Sequence, residues 1–152
     1  MDLGLRGKNA IVTGATRGIG RAIAATLADE GCNVGICARD QASVEATIAA
    51  LAQNGVRATG QALDVRDGAA LKAWIAATGA ELGGLDILVS NVSAMGGLAG
   101  DEGWRRYFEI DLMGTVHAVE AAAPILEKSG AAASFISGAN LVIDGAFTRR
   151  VN

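Results

Sequence analysis

Short apolar runs alternate along the chain with longer stretches whose apolar residues recur every three or four positions. KNAIVTG (8–14) is an apolar run ending in Thr-Gly and predicts a buried strand. In GIGRAIAATLADEG (18–31), Ile19, Ile23 and Leu27 share helical spacing and Gly31 closes the helix. NVGICA (33–38) is a second strand. Asp40 then caps a helix over 41–55, with Val44, Ile48 and Leu51 on one face and Gly55 at its end. VRATGQALDV (56–65) predicts a third, less apolar strand, and 66–84 a helix with Leu71, Trp74, Ile75 and Leu82 inward. LDILVSN (85–91) is a strongly apolar fourth strand. A Gly-rich loop, MGGLAGDEG (95–103), precedes a long helix over 104–130 that contains Pro124, a point of kink or late break. The last piece holds a strand-like NLVID (140–144).

This alternation predicts a right-handed parallel α/β sheet with helices on both faces. The 152 residues suit one domain, 1–152, and contain no internal repeat or linker. With 21 Gly, 1 Pro and about half the residues hydrophobic, composition fits strands and helices joined by tight turns. A net charge of −3 and scattered aromatics point away from nucleic acid and membrane surfaces. The opening MDLGLRGKNA is too short and polar for a signal peptide, and no apolar run nears the roughly 18 residues that span a bilayer. Cys32 and Cys37 have an odd separation along one strand, so their side chains should face opposite ways and not pair. A reduced, cytoplasmic setting is the expectation.

The candidate chemistry begins with Gly14-x-x-x-Gly18-x-Gly20, between the first strand and first helix. Gly14 permits the sharp turn, Gly18 lets backbone approach a pyrophosphate, and Gly20 lets helix and strand pack closely. The free N–H groups and positive dipole end of the helix then face phosphates. A glycine turn placed this way, with a second strand following, is a strong nucleotide-binding signal.

TGATRGIG (13–20) resembles the cofactor motif of the short-chain dehydrogenase/reductase family. LDV (63–65) is similar to that family's adenine-contacting pair, and LDILVSN (85–91) to the strand leading into its Asn-Asn-Ala-Gly motif. FEIDLMGTVHAVEAAAPIL (108–126) resembles its interface helix, and ASFISGANLVIDGAFTR (133–149) its C-terminal strand segment. The resemblance implies a Rossmann-like, doubly wound fold and a nicotinamide dinucleotide. It implies that Gly14, Thr16, Arg17, Gly18, Ile19 and Gly20 line the pyrophosphate and that Asp64 accepts from the adenine amino group. It implies too that Val65 offers its backbone and that Asn91 lies beside the nicotinamide ribose. It also implies a homo-oligomer through the helix 104–130.

The family's ribose-reading acidic position is Ala38 here, followed by Arg39, with Arg17 in the glycine loop. Two guanidiniums favour a 2′-phosphate, so NADP(H) is expected over NAD(H). Asp40 is the counterargument, as an alternative ribose acceptor, although the helix cap is the favoured reading.

The family's chemistry uses a Ser and a Tyr-x-x-x-Lys pair on one helix face. The single tyrosine here is Tyr107, and four residues on stands Asp111. Tyr107 is therefore read as packing, and none of Lys8, Lys72 and Lys128 follows a tyrosine correctly. Ser137 belongs with the C-terminal segment rather than with the catalytic serine. Relative to the family, the chain jumps near 130–133 and omits the fifth strand, the catalytic helix and the substrate loop. Two motif departures remain: SNVS (90–93) replaces Asn-Asn-Ala-Gly, and Asp111 stands where the family has an Asn in its proton relay. An ionised Asp cannot donate as Asn does, which leaves a retained water as its route to that role. The truncated sheet would be completed by 140–144 lying beside the fourth strand. His117 stands alone, with no ligand set for a metal.

Three functions remain open. The chain belongs to an NADP(H)-dependent oxidoreductase of carbonyls or secondary alcohols, catalytically incomplete as it stands. Alternatively it is a binding module that holds a dinucleotide without chemistry, or an assembly module acting through its long helix. A small-molecule substrate is expected only if the omitted segment exists.

Overall fold

The computed structural model describes residues 3–94 and 100–129. Four parallel strands lie in the order β3-β2-β1-β4. They are β1 (Asn9–Thr13), β2 (Asn33–Ala38), β3 (Ala58–Ala62) and β4 (Ile87–Val89). The helices between them are α1 (Gly18–Asp29), α2 (Gln41–Ala52) and α3 (Gly68–Leu82). Beyond β4 come α4 (Gly100–Tyr107), a π-helical stretch (Phe108–Met113) and α5 (Gly114–Ser129). This is the Rossmann-like arrangement that the strand–helix alternation and the family resemblance led us to expect.

Alternation along the central strands divides the core in two. On one face Ala10, Val12, Val34 and Ile36 pack with Ala24, Leu27, Val44 and Leu51 of α1 and α2. On the other, Ile11 and Cys37 pack with Leu71, Trp74 and Ile75 of α3 and Ala118 and Ala122 of α5. Every β1 residue is buried, because a central parallel strand has helices over both faces. Cys32 and Cys37 fall in different halves of this core, both as free thiols, as their odd separation requires. Two small residues let helices seat closely on the second face. A side chain at Gly35 would run into Thr78 of α3, and one at Gly68 into the His117 ring of α5.

Boundaries depart from the sequence pattern where side chains rather than periodicity decide. Strands β3 and β4 are shorter than 56–65 and 85–91. Leu63 and Val65 are buried although they lie past the end of β3. Helix α3 starts at Gly68 because the Asp67 carboxylate accepts from the Ala70 N–H (2.9 Å), and it ends at Gly83 with φ +87°. The expected helix over 104–130 needs correction. It begins at Gly100, so 100–103 are helical rather than loop, with Asp101 and Glu102 favourably placed in its first turn. It is also interrupted by the π-helical stretch, whose six residues carry no Gly or Pro to announce it. Pro124 does not break α5, which runs on to Ser129. Ile19 is a second correction: it shares spacing with Ile23 and Leu27 but is 75% exposed. The loop 95–99, the junction near 130–133, Ser137 and the segment 140–144 lie outside the described residues.

The two ends of the sheet differ in character. At the N-terminal ends of the strands a polar clamp ties elements together. Asn9 donates to Leu82 O (3.2 Å) and accepts from Asn33 (2.8 Å), and Asp86 accepts from Lys8 Nζ and the Asn9 N–H (both 2.9 Å). The C-terminal ends carry the glycine turn after β1 and Asn91 after β4. There the strand order reverses, the place where open α/β sheets bind ligands.

Candidate functional site

The site is built from the turn after β1. Gly14 has φ +66° and its N–H donates to Cys37 O (2.8 Å), so the chain turns sharply while still joined to β2. Arg17 is extended and precedes α1 without capping it, and the first turn of α1 contains no acidic residue. The leading N–H groups of α1 thus face outward without a side-chain acceptor or competing carboxylate. Arg17, Gly18 and Ile19 are exposed and Thr16 is half-buried. Among the described residues, nothing beyond its chain neighbours and its own helix lies within 4 Å of where a Gly18 side chain would begin. At Gly20 the reverse holds: a side chain would drive into Gly14 O and the Asn91 amide, so α1 meets the turn backbone to backbone.

Asn91 bounds the site from the β4 side. Its N–H donates to Thr13 Oγ1 (3.0 Å), and its Nδ2 donates to Thr13 O and Gly14 O (both 3.2 Å). Both partners of Nδ2 are carbonyls, which fixes the amide's orientation and engages both amide hydrogens. Asn91 therefore straps β4 to the glycine turn, and among the described residues its side-chain oxygen has no partner.

At the end of β2, Arg39 and Asp40 are exposed. The Asp40 carboxylate accepts from the Ser43 N–H (2.8 Å) and from the Ser43 hydroxyl. Those bonds, the hydroxyl's above all, hold it below the usual carboxylate range. Of the two readings of Asp40, the helix cap is the one the geometry displays. Past the end of β3, Asp64 is half-buried and engaged by Arg66. Its Oδ1 accepts from the Arg66 N–H (3.0 Å) and its Oδ2 from Arg66 Nε (3.0 Å) and Nη2 (2.6 Å). These bonds hold the Asp64 carboxyl low, with smaller help from the charges of Arg66 and Arg39. Val65 next to it is buried against Gly114.

Asp111 lies in the π-helical stretch, 8% exposed, and its Oδ1 accepts from the Ala94 N–H (2.8 Å). Its own carbonyl accepts from Thr115 Oγ1 (2.8 Å), which uses the threonine's single proton. Ser90, 2.9 Å from Thr115 Oγ1, must therefore be the donor in that pair. Asp111 is thus the structural link between the chain after β4 and the long helix, a job that needs an acceptor and not a donor. Tyr107 is half-buried and set against Trp104, ring centroids 6.2 Å apart and tilted by 60°. Trp104 of α4, Phe108 and Leu112 of the π-helical stretch and Val119 of α5 are all exposed. The structure thus brings Gly14, Thr16, Arg17, Gly18, Ile19, Gly20 and Asn91 together at one site. Arg39, Asp64 and Val65 stand at the adjacent strand ends, and Asp111 behind β4.

Sequence reading missed Arg66 and the Ser90–Thr115–Asp111 chain. Arg66 carried a faint signal, an opposite charge two residues from Asp64 in a segment leading into a helix cap. No helix of the described residues is long and apolar enough to cross a membrane.

The profile of the short chain dehydrogenase family matches residues 8–142. Isoepoxydon dehydrogenase patN of Penicillium expansum is 38% identical over 132 residues, which cover 85% of this chain and 51% of that protein. L-sorbose reductase from Gluconobacter frateurii, complexed with NADPH and L-sorbose, superposes with a TM-score of 0.81 at 32% identity, over 86% of this chain and 51% of its own. Carveol dehydrogenase from Mycobacterium avium in complex with NAD gives 0.78 at 28% identity, over 83% and 52%. The chain spans about half the length of these relatives.

Proposed function

The chain belongs to the short-chain dehydrogenase family, and from that premise we propose that its 152 residues form one dinucleotide-binding domain that prefers NADP(H) to NAD(H). The observation that carries this reading is the uncapped, acid-free start of α1 facing an open turn at Gly18. Backbone N–H groups in that position suit a pyrophosphate. Gly14, Thr16, Arg17, Gly18, Ile19 and Gly20 would line it, with the exposed Ile19 side chain covered by the ligand. Asp64 and Val65 would meet the adenine, and the Asn91 side-chain oxygen the nicotinamide ribose. The preference rests on Arg39 and Arg17, both exposed, and on Asp40 being committed to its helix cap. L-sorbose reductase and carveol dehydrogenase hold NADPH and NAD respectively, so the choice falls to these side chains.

A bound nicotinamide supplies hydride exchange with a carbonyl or secondary alcohol, the reaction class proposed for the parent lineage. This polypeptide itself is proposed to bind without turnover. Its tyrosine is half-buried against Trp104 and has Asp111 four residues on, and Asp111 is held as an acceptor from Ala94. Asp111 is therefore taken as structural rather than as part of a proton relay. A small-molecule substrate would require a further segment. A second reading is favoured by the exposed Trp104, Phe108, Leu112 and Val119: α4 and α5 associate with another copy.

The test is titration of NADPH fluorescence against protein of confirmed mass, followed by incubation with a panel of ketones. Enhancement without oxidation is expected. Absence of binding overturns the domain's role, and steady oxidation overturns its inactivity.

A further inference from the structure

Among the described residues Arg66 bonds to Asp64 and not to the glycine turn or α1, and it stands beside the strand ends proposed to read the ribose. Strands β2 and β3 are parallel with Ala38 opposite Ala62, and the Leu63 N–H donates to Ala38 O (2.9 Å). Arg39 and Asp64 therefore leave adjacent ends of adjacent strands, and the charge of Arg39 is felt at Asp64. A carboxylate and a guanidinium so placed are natural two-point partners. They are not paired. Arg66 occupies both oxygens of Asp64 instead, and Arg39 makes no ion pair among the described residues.

We propose that Arg66 is a specificity-determining residue: by holding Asp64 away from Arg39, it keeps the Arg39 guanidinium available to a 2′-phosphate. This rests on the NADP(H) reading and adds to it. Arg39, Asp64 and Arg66 together carry one net positive charge facing a group of nearly two negative charges. If Asp64 were released to Arg39, that pair would be neutral and the donor fork of Arg39 would be taken. Arg66 is exposed and follows β3, so its replacement leaves both halves of the core untouched.

The test measures affinities of the full chain for NADPH and NADH and follows their ratio in Arg66→Gln and in Asp64→Asn/Arg66→Gln. Arg66→Gln should lower the NADPH preference about fivefold, the scale of an exposed ion pair. Asp64→Asn in that background should restore it, because no carboxylate remains to capture Arg39. The adenine ring is common to both dinucleotides, so any weakening of its hold by Asp64→Asn cancels in the ratio. Arg66→Lys, which keeps a cation beside Asp64, should retain most of the preference. An unchanged ratio in Arg66→Gln overturns the inference. So does a fall that Asp64→Asn leaves in place, since that marks direct contact between Arg66 and the phosphate. Binding of neither dinucleotide by the wild type instead overturns the function reading, and this inference with it.

Discussion

Replacing Gly20 by alanine adds a single methyl group at the tightest point of the site. A side chain there meets Gly14 O and Asn91 Nδ2 well inside contact distance. The first of these atoms is backbone and cannot swing aside. Either α1 backs away from β1 or the glycine turn is displaced, and either movement disturbs the Asn91 bonds to Thr13 O and Gly14 O. Overpacking of this kind costs roughly 1–3 kcal/mol. The better helix propensity of alanine offsets up to about 1 kcal/mol. A net loss of about 1–2 kcal/mol corresponds to a fall in Tm of about 2–8 °C for a chain of this size. The urea midpoint should drop with an unchanged slope, and NADPH affinity should fall by about tenfold or more, because the phosphate-facing N–H groups move with the helix. Gly18→Ala and Gly55→Ala separate the causes. Both positions have positive φ (+55° and +74°) and nothing within 4 Å. Each should lose about 1–2 kcal/mol to backbone strain alone, and Gly55→Ala, remote from the site, should keep full affinity. Stability and affinity of Gly20→Ala equal to wild type would refute the backbone-contact argument.

Arg39→Asp should weaken NADPH by about tenfold or more while changing NADH far less, measured by fluorescence titration; equal losses would refute the phosphate role of Arg39. The Asp64 carboxyl is held below its unfolded value of about 3.9. Its pairing with Arg66 therefore stabilises the fold above that pH, and the contribution drains away as pH falls through the folded value. The stability gap between wild type and Arg66→Gln seen in urea at pH 7 should close toward pH 2; a constant gap would refute the pairing. Burial pushes the Cys37 thiol up to about 12 and raises that of Cys32 as well. Both should resist a thiol reagent at pH 8 until the protein unfolds, and rapid labelling of the native protein would refute their burial.

Where the sequence spoke plainly, packing and periodicity asked for the same thing. Leu71, Trp74, Ile75 and Leu82 face the core at the spacing that marked them, and Asp40 caps the helix it precedes. Gly14, Gly18 and Gly20 stand where a strand must turn into a helix; the first two have positive φ and the third has no room for a side chain. Ile19 misled because its spacing fits the apolar face of α1, although its position in the first turn leaves it outside the core. The π-helical stretch was illegible: its backbone bonding, seen at its end where the Gly114 N–H donates to Glu109 O, is announced by no side chain. Arg66 was passed over because its partner is two residues away in a loop, where no helical or strand spacing flags a pair. The Asn91 strap was hidden for a different reason: its acceptors lie 77 and 78 positions back along the chain.

That strap has a consequence for assembly. The glycine turn is held between a residue from the opening of the chain and one that arrives only after three crossovers have been laid down. A nascent chain cut short of β4 would own the glycine signature and lack the tether that sets its shape. Uptake of the proposed dinucleotide would therefore double as a gauge of whether the first and fourth strands have docked.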